Sequence, residues 1–229
     1  IYAHSPFDTK KRLLLIGSDV SSRYTRRVPS EFGKIVAYIE KIVRAKRGNY
    51  LVFFPSYGYM MDVLAMIEKQ NPNYEYQVQK NGMTEREREQ FLEQFSNEHG
   101  ESFVGFCVSG GIFSEGIDLK GERLIGVVFV GTGLPQICSE REILKKFYAE
   151  KEMDGFAYAY RYPGMNKVLQ AAGRLIRTEN DYGVIVLLED RLLKTEYTEQ
   201  FPVEWSDYQV TRLNEIEWKL QCFWNKIVG

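Results

Sequence analysis

Two rhythms of apolar and polar positions alternate along the chain. Runs rich in β-branched and aromatic residues occur at 12–17, 50–54, 75–79, 103–108, 124–130 and 183–188, and each predicts a short strand. Between the first two, Phe32, Ile35, Val36, Ile39, Ile42 and Val43 recur at helical spacing behind a Ser30 cap, and Gly48 ends the run. A second helix is predicted from Tyr57 through Met60, Met61 and Leu64. A third opens with Thr84 and Glu87 at capping-box spacing before Phe91, Leu92 and Phe95. Leu213, Ile216, Leu220, Phe223 and Ile227 predict a C-terminal helix over 208–227 that packs on the same domain. This alternation predicts an α/β fold, a mostly parallel central sheet flanked by helices, as a single domain over 1–229. Residues 134–162, rich in Glu, Lys and Tyr, are expected to form an insertion or mobile excursion between strands.

Composition narrows the picture. At 229 residues, 44% hydrophobic and 27% charged, the chain can bury one full core. A net charge of −1 argues against a free-standing nucleic-acid binder with a wholly basic face, so such binding has to be local or shared with another domain. Cys107, Cys138 and Cys222 lie too far apart for metal or cluster ligation and are expected to be buried free thiols, with no metal site. No signal peptide and no apolar run of about 20 residues is present, so no membrane span is expected and a cytoplasmic location is. The chain opens at Ile1 without Met, which suggests a piece of a longer protein.

Open α/β sheets place chemistry in the loops after the carboxyl ends of strands, and four segments fall there. Gln170-Ala171-Ala172-Gly173-Arg174-Leu175-Ile176-Arg177 precedes the last predicted strand. On one continuous helix Arg174 lies about 40° from Gln170 and Arg177 about 20° to its other side, so an amide and two guanidiniums share a polar sector. Gly173 keeps that edge open, and paired guanidiniums suit phosphate oxygens. Ser109-Gly110-Gly111-Ile112-Phe113-Ser114-Glu115-Gly116-Ile117-Asp118 offers glycines for close backbone approach to a phosphate and two acids for a ribose hydroxyl, cation or basic side chain. The same pattern also fits a turn with Ser114 as a helix cap. Phe54-Pro55-Ser56-Tyr57-Gly58-Tyr59 sets hydroxyls and aromatics at a strand end, suited to a nucleic-acid backbone or a stacked base, or to a helix cap. Ser21-Ser22-Arg23-Tyr24-Thr25-Arg26-Arg27 interleaves cations with an aromatic, as a phosphate-tracking patch or solvated surface does.

Taken in chain order, beginning with Ser5-Pro6-Phe7 and Ser21-Ser22-Arg23-Tyr24-Thr25-Arg26, these segments closely resemble the second motor domain of iron–sulfur superfamily-two helicases related to XPD and bacterial DinG. Phe53-Phe54-Pro55-Ser56-Tyr57, Ser114-Glu115-Gly116-Ile117-Asp118 and Gln170-Ala171-Ala172-Gly173-Arg174-Leu175-Ile176-Arg177 look like that family's motifs IV, V and VI, in that order. The resemblance implies a RecA-like fold, ATP hydrolysis coupled to 5′-to-3′ movement on single-stranded DNA, and a role in DNA repair. It implies catalytic roles for Gln170, Arg174 and Arg177, nucleotide contacts at Gly116, Asp118 and Gly173, and nucleic-acid contacts at Ser22, Arg23, Ser56, Tyr57 and Ser114. The chain contains no Gly-x-x-x-x-Gly-Lys-Ser/Thr loop and no Asp-Glu-x-His-like segment. A first RecA-like domain is therefore the expected partner, holding most contacts to ATP and Mg²⁺ and a 4Fe-4S cluster. Ile112-Phe113 replaces a basic residue common in XPD-like sequences, which removes a charged DNA contact from that loop. An RNA motor and a non-catalytic partner-recruitment module are the alternative readings.

Overall fold

The structure, a computed structural model, describes residues 8–111, 113, 119, 121–176, 178 and 180–228. The strands are β1 (Arg12–Gly17), β2 (Asn49–Phe54), β3 (Tyr74–Val78), β4 (Ser102–Val108), β5 (Gly126–Val130) and β6 (Gly183–Leu188), joined by the three-residue β7 (Gln209–Thr211); apart from the edge strands β3 and β7, they are apolar runs too dense to leave either face wet. They hydrogen-bond in the order β3-β4-β2-β5-β6-β1-β7, every pair parallel. Parallel neighbours need crossovers, and helices supply most of them: α1 (Pro29–Ala45), α2 (Tyr57–Lys69), α3 (Glu85–Glu93), α4 (Ser139–Ala149), α5 (Tyr162–Ala172) and α6 (Thr195–Thr198), while α7 (Ile216–Val228) follows the last strand. One core layer packs α1, α2 and α7 through Ile35, Ile39, Val63 and Leu220 against Val52, Val128 and Val186. The other packs α3 and α5 through Phe91, Val168 and Ala172 against Leu51, Phe53 and Leu187. Burying apolar surface on both sides, at roughly 25 cal/mol per Å², is the main force holding the sheet. Among the described residues no helix is long and apolar enough to cross a membrane.

Several boundaries differ from expectation. Helix α1 starts at Pro29, with Val28 as its cap residue and Ser30 already inside the first turn; the fixed φ of proline suits the first helical position. A tight turn over Gly121–Arg123 delays β5 to Gly126. The C-terminal helix starts at Ile216 rather than 208, because Gln209–Thr211 is drawn into the sheet beside Leu15, Ile16 and Gly17. Of the cysteines only Cys107 is buried; Cys138 is exposed and Cys222 partly so. Within 134–162 the chain forms α4, which buries none of its residues, and a π-helical turn at Ala157–Arg161 that leads into α5.

That stretch leaves and rejoins the body at a backbone crossing. Gly133 has φ +67, and a Cβ there would lie 2.4 Å from the carbonyl oxygen of Gly164; one on Gly164 would lie 2.8 Å from that of Thr132. Gly133→Ala is expected to destabilise the protein by roughly 3 kcal/mol, from left-handed strain plus backbone overlap. A urea midpoint equal to wild type would show that the crossing has slack.

Candidate functional site

The carboxyl ends of β2, β3, β4 and β5 open into a cleft of about 360 Å³, lined by Ser56, Tyr57, Gln79, Ser109, Gly110, Gly111 and, from α5, Lys167. Ser56 caps α2, its Oγ accepting from the Tyr59 amide at 3.3 Å, so its own O–H is left to donate. The Tyr57 hydroxyl accepts from Gln79 Nε2 (2.8 Å) and donates to the Lys80 carbonyl (2.9 Å). With its one proton committed, Tyr57 offers a ligand its ring rather than a donor. Gln79 also accepts from the Val108 amide at 2.9 Å, joining the loop after β2 to the end of β4. Beyond Gly111, Phe113 is fully buried against Phe91, ring centroids 4.3 Å apart. A phenylalanine stands at that position because it anchors the loop to the core. Ser114, Gly116 and Asp118 lie outside the described residues.

Next to this cleft, the loops after β1 and β6 are tied by one carboxylate. Glu189 is fully buried and accepts from Ser21 Oγ (2.9 Å), Ser22 N (2.8 Å), Ser22 Oγ (2.6 Å), and Arg191 Nε (2.7 Å) and Nη2 (3.0 Å). Burial pushes its pKa up, but the Arg191 guanidinium and the Ser22 donors outweigh this and hold it well below the ordinary 4.5. Ser22 is itself buried, and both its N–H and its O–H are spent on Glu189. In this state it shapes the loop, with both of its donors engaged. Arg23 and Arg26 flank Asp190 at 3.5 and 3.6 Å, each more than a third exposed, and Arg26 also bonds Glu31 at 2.8 Å. Arg27 lies over the rings of Tyr24 and Tyr59 at 5.4 and 5.1 Å. The basic patch is real, but the acids Glu31, Asp190 and Glu189 hold it in place.

The segment from Gln170 onward departs from a single helix. Helix α5 stops at Ala172 with Gly173 as its C-cap; the amides of Arg174 and Leu175 bond back three residues, to Ala171 and Ala172. That tightening sinks Leu175 into the core. The two residues expected side by side differ in exposure: Gln170 is exposed, whereas Arg174 is only 7% exposed. Arg177 lies outside the described residues. Asp181, buried, accepts from Gly121 N (2.9 Å) and Thr178 N (2.7 Å), linking the loop before β5 to the turn before β6. Glu189, Asp181, Gln79 and Lys167 were missed by sequence reasoning. Glu189, Asp181 and Gln79 are single polar residues next to strands with partners distant in sequence, and Lys167 sits mid-helix in α5, so no local pattern marks them.

Comparison with known proteins bears on this arrangement. The model of the family described as helicase C-terminal domain matches residues 39–208. A probable ATP-dependent helicase of Methanocaldococcus jannaschii is 31% identical over 82% of this chain and 30% of its own length. The ATP-dependent DNA helicase DDX11 of Danio rerio is 29% identical over 80% of this chain and 22% of its own. A solved XPD helicase superposes with a TM-score of 0.71 at 22% identity, covering 88% of this chain and 35% of that one. The chain thus spans between 22% and 35% of the length of these relatives.

Proposed function

The chain belongs to the helicase C-terminal domain family, and from that membership we propose that it is the second motor half of an ATP-dependent DNA helicase of the XPD and DinG type. The observation that carries this reading is convergence. Ser56 and Tyr57 after β2 and Ser109–Gly111 after β4 meet in one cleft with α5, the helix that leads to Gln170 and Arg174. A strand lying across that cleft meets the Ser56 hydroxyl and the Tyr57 ring, and Arg23 reaches phosphates beside it; Ser114, from the family resemblance, is assigned to the same strand. Ser22, with Glu189, fixes the loop that presents Arg23.

Most contacts to ATP and Mg²⁺ belong to a first RecA-like domain, which also carries the 4Fe-4S cluster. When bound, the nucleotide supplies the phosphoryl group whose transfer powers movement. This chain's part is to close Gln170, Arg174 and Arg177 on the developing charge, with Gly116, Asp118 and Gly173 shaping the nucleotide's near side. Closure and release then shift the grip on a single strand, 5′ to 3′.

The test compares ATP hydrolysis by the full-length protein with single-stranded DNA, with single-stranded RNA and with neither, and by this chain alone. Stimulation by DNA well above RNA, with no turnover by the isolated chain, is the expected result. Stimulation by RNA alone identifies an RNA motor. A full-length protein without ATPase activity identifies a non-catalytic module, and robust turnover by the isolated chain overturns the shared site.

A further inference from the structure

Lys167 projects from α5 into the cleft between the loops after β2 and β4, and among the described residues it forms no ion pair and no hydrogen bond. Its chain lies over bare backbone: Gly110 has φ +74, and a Cβ there would sit 2.7 Å from Lys167 Nζ. Any side chain at 110 would therefore displace the ammonium. Partial burial lowers its pKa, and the guanidinium of Arg141 pushes in the same direction. Arg141 is in turn held in place by a 2.6 Å bond to the Ala159 carbonyl. A partly desolvated cation next to a second cation is unfavourable unless an anion joins them.

We infer that Lys167 binds a backbone phosphate of the single strand in this cleft, over the bare backbone of Gly110. The inference rests on the proposed DNA-motor function and adds to it a residue and a route. Lys167 and Gln170 are neighbours three positions apart on one helix, about 4.5 Å along its axis. A phosphate held at Lys167 thus fixes the helix that carries Gln170 toward the nucleotide, so strand occupancy is communicated through α5.

The phosphate could also belong to a nucleotide, and the experiment separates the two sources. Binding of a fluorescent oligo(dT) to the full-length protein is measured from 50 to 300 mM salt for wild type, Lys167→Gln, Lys167→Arg and the exposed control Lys146→Gln, with KM for ATP determined in parallel. Lys167→Gln is expected to weaken binding about tenfold and to reduce the slope of log K against log salt by about 0.7, the value for one phosphate on a single strand. Lys167→Arg should restore the slope, and Lys146→Gln should leave it unchanged. An unchanged slope in Lys167→Gln overturns the assignment, as does a raised KM for ATP without a slope change, which would place the anion on the nucleotide. Wild-type protein that does not bind oligo(dT) at all overturns the underlying motor reading as well, so the two failures are distinguishable.

Discussion

Replacing Arg174 by alanine in the full-length protein is expected to lower DNA-stimulated kcat roughly 10³-fold, because a guanidinium aimed at the transferring phosphoryl group stabilises charge that develops only in the transition state. The structure adds a second effect that an arginine on the domain surface would not have. At 7% exposure and engaged within the domain, Arg174 contributes to folding, and its truncation should cost on the order of 1–3 kcal/mol. For a domain of this size that is a fall of several degrees in Tm. The two effects separate by temperature: well below the melting transition the stability loss no longer matters, yet the kcat defect should persist. Arg174→Lys keeps the charge but loses the planar fork, so most of the kcat loss should remain. If turnover in Arg174→Ala returns to wild type at low temperature, the residue is structural and its assignment to phosphoryl transfer fails.

The largest stability effect is expected at Glu189. Glu189→Ala strips the partner from Arg191, Ser21 and Ser22 at once, and breaking a buried pair by removing one member typically costs about 3–5 kcal/mol. Tm should fall by roughly 10 °C or more. Glu189→Gln retains an acceptor but not the charge and should fall between the two. The pH dependence has a definite sign. A carboxylate held below its ordinary 4.5 in the folded state contributes stability that is complete above that value and is lost as pH falls below it. The gap between wild type and Glu189→Gln in chemical denaturation should therefore be widest near neutrality and shrink from about pH 5 downward. A gap independent of pH would mean that the Glu189 charge is not what holds these loops.

How much of this was legible follows from what each element buries. Strands β2 and β6 announce themselves, since Tyr50-Leu51-Val52-Phe53-Phe54 and Val184-Ile185-Val186-Leu187-Leu188 admit no wet face. Strand β7 does not: two of its three residues are exposed, and it is a strand only because β1 offers a parallel edge. The Thr84 and Glu87 capping box was readable because its partners are three residues apart, and both of its bonds form. The end of α5 was not. Periodicity continues smoothly from Val168 to Ile176, while the decision to tighten after Ala172 depends on where Leu175 finds the core. Motif reading put Ser56, Tyr57 and Ser109–Gly111 at strand ends, which meet here in one cleft, but it had no sign of what Ser22 bonds. Its hydroxyl faces a buried acid 167 residues further along the chain, a pairing visible only once β1 and β6 lie side by side.

The crossing at Gly133 and Gly164 bears on how such a domain can change over time. The chain departs from and returns to one spot, backbone against backbone, so everything between forms a closed side loop whose ends are fixed independently of its length. Lengthening such a loop costs little, since closure entropy grows only with the logarithm of its size. Helix α4 buries none of its residues, so sequence there is free of the constraints of the main core. The sheet and α5 can stay constant while this appendage is enlarged, trimmed or exchanged, giving the lineage a place to vary what surrounds the core without retuning the core itself.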